Sequence, residues 1–345
     1  MIHKKSITII AFLLLILALG MTSLFAGDAS RIGTAAGSEL LVPVGGRDLA
    51  MGGADLANTQ GLDAIYWNPA GFAQMRFNAG AQFSTMTIFN DINVNYAAIG
   101  VKAGRFGSFG ASIKVFNFGE ISYTTNEDWD GASGRTFSPS FFIAGLTYSR
   151  MLTDAILVGL TGKLITESIP RASASAFAFD IGLQYHGLGQ INGLNLGLVV
   201  RNIGTNMEYS GSALLVRSLN DLGIADFRDR PTASNQLPAT VELGLSYNKS
   251  INEENKLIVA GIFQNNNFEN DQYKFGAEYN YNELVFLRGG YLYTQKTDSK
   301  DVLYRFTAGL GLHYKVGATD LTFDYAFRDS QYFDGNNLFS LTIGF

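Results

Sequence analysis

Few residues of this chain could take part in catalysis or metal binding, and their spacing does not fit a catalytic or metal site. After residue 26 the histidines are His186 and His313, and neither has a second metal-ligating residue at a suitable spacing, so we interpret both as polar wall residues. The stretch GGRDLAMGG lacks the Gly-Lys-Ser/Thr ending of a phosphate-binding loop. Ser246, in GLSYN, lies within a strand-like pattern, whereas a nucleophilic serine needs a strand-to-helix turn. Cysteine is absent. The sequence therefore predicts no catalytic site, no metal, no cofactor and no enzyme.

Net charge and composition bear on the class of partner and on the type of secondary structure. Without residues 1–26 the chain loses Lys4 and Lys5 and no acid, so 23 basic residues face 30 acidic ones and the net charge is −7. This balance argues against nucleic acid as a partner. The 39 glycines, 26 phenylalanines and 16 tyrosines, beside 6 prolines, are typical of strands that twist, pack and turn tightly.

The N-terminus predicts export from the cytoplasm. MIHKK is basic, SITIIAFLLLILALG is apolar, and TSLFAG ends in small residues around Ala26. This order is that of a secretory signal peptide, which we assign to residues 1–26. The alternative is a transmembrane anchor, because Ile7 to Phe25 approaches the roughly 20 residues that span a bilayer. The small residues at its end favour the signal peptide.

Alternation of apolar and polar side chains predicts β-strands from Phe77 onward. In LTFDYAFR, for example, Leu321, Phe323 and Tyr325 share one face while Thr322 shares the other with polar neighbours. We count about fourteen such segments, near residues 77–88, 92–102, 107–118, 138–150, 154–167, 175–186, 194–203, 238–248, 255–265, 272–281, 283–294, 303–315, 319–328 and 337–345.

Three observations favour an outer-membrane barrel over a soluble sandwich. The strand number is even, as it is in single-chain bacterial barrels. The long connections 119–137 and 204–237 both follow odd-numbered strands, as extracellular loops do, whereas even-numbered strands are followed mainly by tight turns. Tyrosines occupy the apolar face toward strand ends, as in an interfacial girdle. These tyrosines are Tyr273, Tyr279, Tyr281, Tyr291, Tyr293, Tyr304, Tyr314 and Tyr325.

The predicted fold class is all-β: a transmembrane antiparallel β-barrel of about fourteen strands with an N-terminal plug, or hatch. The predicted location is the outer membrane of a Gram-negative-type bacterium, with outer-membrane lipid around it. The last strand, NNLFSLTIGF, ends on Phe345. This ending resembles the C-terminal signal read by the outer-membrane assembly machinery, which implies that machinery as a partner; the alternative is an ordinary closing strand.

The polar face of the strands carries charges of both signs and is predicted to face the lumen. A charge facing lipid near the midplane would cost roughly 2–4 kcal/mol, so the shared face supports this assignment. We expect cross-barrel ion pairs and plug contacts there, with plain wall polarity as the alternative. The candidate lumen residues are Lys114, Lys163, Asp180, Arg201, Glu242, Lys274, Glu278, Arg288, Arg305, His313, Lys315, Asp324 and Arg328.

The segment before the first strand is predicted to plug the barrel. Residues 27–72 are rich in glycine, do not alternate, and are too short for an independent domain, which leaves 73–345 as the barrel. The segment ends at a corner, Asn68-Pro69-Ala70-Gly71. Pro69 fixes φ, Asn68 can bond nearby backbone, and Gly71 permits a close turn into the wall. We interpret the corner as a hinge or anchor of the plug, with ligand contact as the alternative.

Two stretches of this segment resemble a known family. GGRDLAMGGADLA followed by AIYWNPAGFA is similar to the N-terminus of the PorV/PorQ family, whose barrels are related to the FadL long-chain fatty-acid transporters. The resemblance is specific over about residues 33–75. It implies an Asn-Pro-Ala motif, here Asn68, Pro69 and Ala70, where the plug passes into the first strand.

The resemblance implies a protein of the type IX secretion system that docks the translocon or secreted cargo proteins through its extracellular loops. The alternative is FadL-like transport of a hydrophobic small molecule through the barrel, with residues 27–72 as the hatch. A structural outer-membrane protein is the third reading. Because the shared motif is architectural, the sequence leaves these readings open.

Overall fold

The computed structural model describes residues 31–89, 92–219, 223–295, 297 and 301–345. The predicted signal peptide, residues 1–26, lies outside the described residues. The strands in chain order are β1 (Ala79–Ile88), β2 (Ile92–Lys102), β3 (Ser108–Asn117), β4 (Ile121–Ser122), β5 (Thr136–Phe137), β6 (Ser140–Met151), β7 (Ile156–Ile169), β8 (Ala172–His186), β9 (Leu194–Gly204), β10 (Leu215–Leu219), β11 (Ala225–Asp229), β12 (Thr240–Ser250), β13 (Asn255–Asn266), β14 (Gln272–Tyr281), β15 (Val285–Thr294), β16 (Phe306–Val316), β17 (Thr319–Arg328) and β18 (Asn336–Gly344).

Fourteen of these strands close into one antiparallel barrel, in which β1 pairs with both β2 and β18. The predicted strand number and the all-β class are confirmed. Three predicted segments, those of β2, β14 and β17, agree with the structure at both ends. The segment that alternates poorly, 255–265, is strand β13. The other two strand pairs, β4 with β5 and β10 with β11, are short hairpins within the two long loops.

The wall has an apolar outer face and a polar inner face. On β12, Glu242 and Ser246 are buried inside while Leu243, Leu245 and Tyr247 are 44%, 48% and 43% exposed. All ladder hydrogen bonds close within the wall, and this is how strands cross an outer membrane. The protein is an outer-membrane barrel. Among the described residues, no helix has the length and apolar character needed to cross a bilayer.

The two ends of the barrel differ. The long connections between β3 and β6 and between β9 and β12 lie at one end, which we take as extracellular, and tight turns such as Gly317 between β16 and β17 lie at the other. The plug enters from the periplasmic end, because residues 76–78 lead directly into β1. It reaches the extracellular end, where the Ala36 amide donates to the Gln236 carbonyl at 3.0 Å.

Short helices make up much of the plug. Between them the chain turns repeatedly at glycines with positive φ, including Gly45, Gly52, Gly53 and Gly61. The described plug helices are the 3-10 helices Ser38–Leu41 and Pro69–Gln74 and the α-helices Gly46–Ala50 and Ala64–Trp67. Further 3-10 turns connect barrel strands at Gly104–Phe106 and Leu188–Gln190, and another, Ser212–Leu214, lies in the loop before β10.

Several glycines on the inner wall lie against the plug at distances that admit no side chain, and five of them, on five different strands, illustrate the contact. We call Gly159, Gly182, Gly197, Gly276 and Gly309 the wall glycines. A Cβ atom added to each would lie 2.1 to 2.7 Å from a plug atom, for example 2.1 Å from Asn68 Oδ1 at Gly182 and 2.2 Å from the Pro69 carbonyl carbon at Gly159. Plug and wall are thus in close contact over much of the circumference.

The substitution Gly159→Ala should loosen the plug. The added methyl group has to displace Pro69, and overpacking of this kind costs about 1–3 kcal/mol. Gly162→Ala is the matched control on the same strand, because its Cβ would face outward, with the nearest atom 3.6 Å away in Phe179. The measurement is the midpoint temperature of heat-modified gel migration, which should fall for Gly159→Ala only. Equal midpoints for the two variants would contradict the close contact.

Candidate functional site

The Asn-Pro-Ala corner is a junction between the plug and the wall. The Asn68 amide nitrogen donates to the Leu56 carbonyl at 2.8 Å and to the Leu183 carbonyl of β8 at 3.3 Å, and its Oδ1 accepts from the Ala70 amide at 3.1 Å. Pro69 opens the 3-10 helix that follows. The Ala70 carbonyl accepts from Ser149 of β6 at 2.8 Å. The corner is therefore bonded both to the plug and to two strands of the wall, β6 and β8.

Gly71 lies against both the plug and the wall. A Cβ at Gly71 would lie 1.9 Å from the Thr59 carbonyl oxygen in the plug and 2.9 Å from Nε2 of Gln184 on β8, so this position has no room for a side chain. Its role in the turn toward the wall stays a prediction.

A cavity of about 620 Å³ lies above the plug, toward the extracellular end; we call it the outer cavity. Its floor is formed by plug residues that include Leu40, Leu49 and Trp67. The segment before β16, with Val302 and Leu303, also lines it. The cavity has the size and the mainly apolar floor of a small-molecule site.

Charged wall residues line the same cavity. Arg201 of β9 pairs with Glu242 of β12, and Lys163 of β7 pairs with Asp180 of β8 at 2.5 Å. Each pair joins two neighbouring strands and is diagonal in the ladder. Arg201 lies opposite Thr240, two residues before Glu242, and Lys163 lies opposite Ala178, two residues before Asp180, so the strand pairing brings the charges together. The Arg201 guanidinium also lies 5.7 Å from the Trp67 ring centroid.

Two further cations of the outer cavity have amide partners instead of acids. The Lys274 ammonium donates to Gln264 Oε1 at 2.5 Å. The Arg328 guanidinium donates to Asn336 Oδ1 at 2.8 Å and stacks 3.6 Å from the Tyr304 ring centroid. Within the described residues neither forms an ion pair with a carboxylate. Glu242 and Glu269 line the same cavity, but neither carboxylate is in direct contact with the two cations, so this part of the cavity can accept an anionic group.

A second cavity, of about 270 Å³, lies below the plug; we call it the periplasmic cavity. It is lined by plug residues Arg47 and Asp63 and by wall residues at the short-turn ends of the strands, such as His313 and Asp320. His313 Nε2 and Asp320 Oδ1 are 2.8 Å apart. The described residues contain no group of three acidic, histidine or cysteine side chains arranged to hold a metal ion.

An ion network joins the plug to the wall beside this cavity. Arg47 lies 2.9 Å from Asp48, 2.7 Å from Asp55 and 3.3 Å from Glu278 of β14. Glu278 Oε2 also accepts from Arg288 at 2.6 Å. Arg288 in turn lies 2.5 Å from Asp324 of β17. Each buried charge in this network therefore has at least one partner of opposite sign.

The structure places most of the candidate lumen residues inside the barrel. Arg305 and Arg328 line the outer cavity and His313 lines the periplasmic cavity. Lys315 differs, because it is exposed at the end of β16. His186 is partly buried beside Gln184. Phe345 is 62% exposed, and its amide donates to the Ala79 carbonyl at 2.8 Å; its role in assembly stays a prediction. The buried residues are Lys114, Lys163, Asp180, Arg201, Glu242, Lys274, Glu278, Arg288 and Asp324.

One tyrosine was assigned to the wrong face. Tyr304 was expected on the apolar outer face, but β16 begins at Phe306 and the chain before it turns inward. Tyr304 lines the outer cavity under Arg328 instead. The alternation that fixes side-chain direction holds only while the strand lasts, so it could not place a residue two positions before the strand.

Sequence reasoning missed the charged residues of the plug. Arg47, Asp48 and Asp55 belong to the family-like stretch and have no predicted role, yet Arg47 pairs with both aspartates and contacts Glu278 of the wall. A signal was present in the sequence: three charges stand in a segment otherwise made of glycine, alanine and leucine, and buried charges need partners.

A buried glutamate near the extracellular end of the plug is poorly compensated. Burial raises the pKa of Glu39 to about 8, and the nearby Glu167 carboxylate adds to the rise. Lys114 donates to the Glu39 and Val42 carbonyl oxygens at 2.8 and 2.9 Å, and not to the Glu39 carboxylate. Because the folded-state pKa is raised, the neutral form stabilises the docked plug, and this stability is lost as the pH rises from about 4.5 through about 8.

The variant Glu39→Gln should remove part of this pH dependence. In the parent protein the midpoint of heat-modified migration should be lower at alkaline than at acidic pH, since Glu39 must then ionise in a buried position. Glu39→Gln should narrow the difference, whereas the exposed Glu208→Gln should leave it as it is. An unchanged difference in Glu39→Gln would show that another group is responsible.

The fold has relatives among solved structures, whereas the sequence has no recognised family. No family model matches the sequence, and no curated protein matches it. Solved structures do match. The Pseudomonas putida toluene transporter TodX aligns with a TM-score of 0.54 at 14% sequence identity, over 92% of this chain and 99% of that chain. The Ralstonia pickettii toluene transporter TbuX aligns with a TM-score of 0.53 at 15% identity, over 87% and 97%.

A Pseudomonas aeruginosa FadL homologue aligns with a TM-score of 0.52 at 12% identity, over 88% of this chain and 98% of that chain. The fold is FadL-like. At such identities the likeness concerns the fold alone, so membership of the FadL-related superfamily also stays a prediction. The PorV/PorQ resemblance stays a prediction.

Proposed function

We propose that this protein is a channel that takes up a small hydrophobic molecule across the outer membrane, with the outer cavity as its first binding site. The observation that carries the proposal is the cavity itself, an apolar floor formed by the plug facing the extracellular loops. The shared fold with toluene transporters supports the hydrophobic character of the ligand.

The charges of the outer cavity narrow the ligand class. A neutral hydrocarbon would leave Lys274 and Arg328 with amide and aromatic partners only. A carboxylate or similar anion at one end of an apolar molecule would supply the counter-charge, and charge-assisted hydrogen bonds of this kind are the stronger ones. We therefore infer an amphipathic ligand, with its apolar part on the floor near Leu49 and Trp67.

Tryptophan fluorescence can test this ligand class directly. The chain has two tryptophans, Trp67 in the cavity floor and Trp129, which is 81% exposed in a loop. In a Trp129→Phe background, decanoate should change the emission of Trp67 saturably, and decanol should bind more weakly. Loss of the signal with both compounds would contradict the proposed site.

Removing one cation should act on the anion alone. Lys274→Gln should weaken decanoate binding about tenfold, the loss expected for one hydrogen bond to a charged group, and should leave decanol binding unchanged. The control is Lys256→Gln, a partly exposed lysine at the periplasmic end that pairs with Glu283. A parallel loss for decanol would point to a general disturbance of the cavity.

A second candidate function is docking of a secretion partner, and the hairpin β10–β11 favours it. Leu219 pairs with Ala225, and Arg217 with Phe227, so Leu215, Leu219 and Phe227 share one face. They are 43%, 67% and 68% exposed. Arg217 and Asp229 lie on the same face. Exposed apolar side chains beside charges on an extracellular loop are the kind of surface that a translocon component or secreted cargo would cover.

Deletion of the β10–β11 hairpin separates the two candidates. If the loop docks a partner, affinity purification from native membranes in mild detergent should lose a secretion protein that the full chain retains, and decanoate binding should persist. If the chain is only a channel, the full chain and the deletion variant should retain the same proteins. Migration in unheated gels checks that the barrel is still folded.

A further inference from the structure

The periplasmic end of the wall carries three cations close together. Lys102 ends β2, Arg105 lies in the turn that follows, and Arg150 lies on β6, which pairs with β3. A Cβ added to Gly107 of that turn would lie 3.4 Å from the Arg150 Cβ, so the turn and β6 are in contact. All three basic residues are exposed, and we call them the basic patch.

The basic patch has no acidic partner in the part of the chain that the structure describes. The turns after β2 and β6 together contain one acid, Asp154, and it forms no ion pair with the patch. Elsewhere at the same end of the barrel, Lys256 pairs with Glu283 and His313 lies beside Asp320. The patch is therefore a local excess of positive charge on a chain whose net charge is −5.

Aromatic rings hold the turn after β2 against the wall. The Tyr148 hydroxyl donates to the Phe106 carbonyl at 3.0 Å, and the ring centroids of Tyr148 and Phe109 are 5.1 Å apart. The Arg105 guanidinium lies 5.0 Å from the centroid of the Phe106 ring, and Phe106 is 61% exposed. Exposed aromatic rings near strand ends occupy the headgroup level of an outer membrane. The basic patch is thus placed among the headgroups of the periplasmic leaflet.

A shallow groove lies on the outer face of β3, toward the membrane centre from these rings. Ala111 lies directly opposite Ile99 of β2 and Leu146 of β6. Leu146 also has a small residue, Gly162 of β7, on its other side. Ile99 and Leu146 are 60% and 73% exposed, since such small neighbours cover little of their side chains. The groove has Ala111 as its floor and projecting aliphatic side chains as its sides, and this shape suits an acyl chain.

We propose that this part of the outer face binds one anionic phospholipid of the periplasmic leaflet, with the phosphate on the basic patch and an acyl chain in the groove at Ala111. Basic clusters at the membrane surface attract anionic lipids, and the hydrogen bonds from a guanidinium to a phosphate are charge-assisted. The groove favours a lipid over a soluble anion or a protein, because it faces the bilayer. This lipid site lies on the wall and does not depend on the molecule that passes through the lumen.

Native mass spectrometry of the delipidated barrel tests the lipid site. The parent protein should bind one molecule of phosphatidylglycerol more tightly than it binds further molecules, and more tightly than it binds phosphatidylethanolamine. The double variant Arg105→Gln/Arg150→Gln should bind phosphatidylglycerol about tenfold more weakly, as expected for the loss of hydrogen bonds to a charged group, with phosphatidylethanolamine unaffected. Equal affinity of the parent and the double variant for phosphatidylglycerol would overturn the proposal.

A second double variant controls for net charge. Lys249→Gln/Lys315→Gln also removes two exposed cations, from the periplasmic ends of β12 and β16, and it should keep the parent affinity for phosphatidylglycerol. Migration in unheated gels checks that both double variants are folded. An equal loss of affinity in the two would show that the lipid responds to the charge of the whole barrel, and the proposed site would be wrong.

Filling the groove tests the acyl contact with all cations in place. Ala111→Leu puts a side chain where the acyl chain would lie, so it should weaken phosphatidylglycerol binding several-fold. Ala277→Leu is the matched control, an exposed alanine on the outer face of β14, and should have no effect. If Ala111→Leu kept the parent affinity, the basic patch would bind the headgroup alone, and a lipid site that includes the groove would be refuted.

Affinity purification in mild detergent distinguishes a lipid from a protein on the basic patch. The parent and Arg105→Gln/Arg150→Gln should retain the same periplasmic proteins. Loss of an acidic protein from the double variant, together with unchanged phosphatidylglycerol binding, would assign the patch to that protein and overturn the proposal. Decanoate binding in the outer cavity should be the same in all these variants, so the lipid site and the proposed function can fail separately.

Discussion

The interior of this barrel depends on backbone-to-backbone contact between plug and wall. At several places where the plug touches the strands, the wall has glycine, and a single methyl group at Gly159 or Gly182 would lie within 2.2 Å of plug atoms. Close contact of this kind fixes the plug across the lumen instead of leaving it as a loose tail. The division of the lumen into an outer and a periplasmic cavity follows from it.

Charge compensation is the second constraint on the lumen. Buried ions cost several kcal/mol each unless they are paired, and the wall pairs Arg201 with Glu242 and Lys163 with Asp180 across the strand ladder. Arg47 and Glu278 extend this compensation from wall to plug. Lys274 and Arg328 are exceptions, because they face the outer cavity and donate to amide oxygens instead of carboxylates. A ligand with a negative charge can bind these two cations directly.

The wall could be predicted from the sequence because each strand repeats one physical rule. Side chains alternate between lipid and lumen, so β2, β14 and β17 were bounded correctly and the buried faces of Glu242 and Asp324 followed from parity alone. The rule fails where strands stop, as Tyr304 and Lys315 show. The plug sequence has no periodic pattern from which its path through the lumen could be predicted. Its contacts join residues far apart in the chain, such as Arg47 and Glu278, and no spacing in the sequence encodes them.

The position of the plug in the chain also bears on how the molecule is made. The plug precedes β1, and the barrel closes where β1 pairs with the last strand, β18. The earliest described residues lie deepest in the path, at the extracellular end beside Gln236. After closure, this segment would have to travel the length of a lumen whose glycines leave no clearance. We expect the strands to assemble around a segment already in place, so that the interior acts as a template for the wall and the β1–β18 seam forms last.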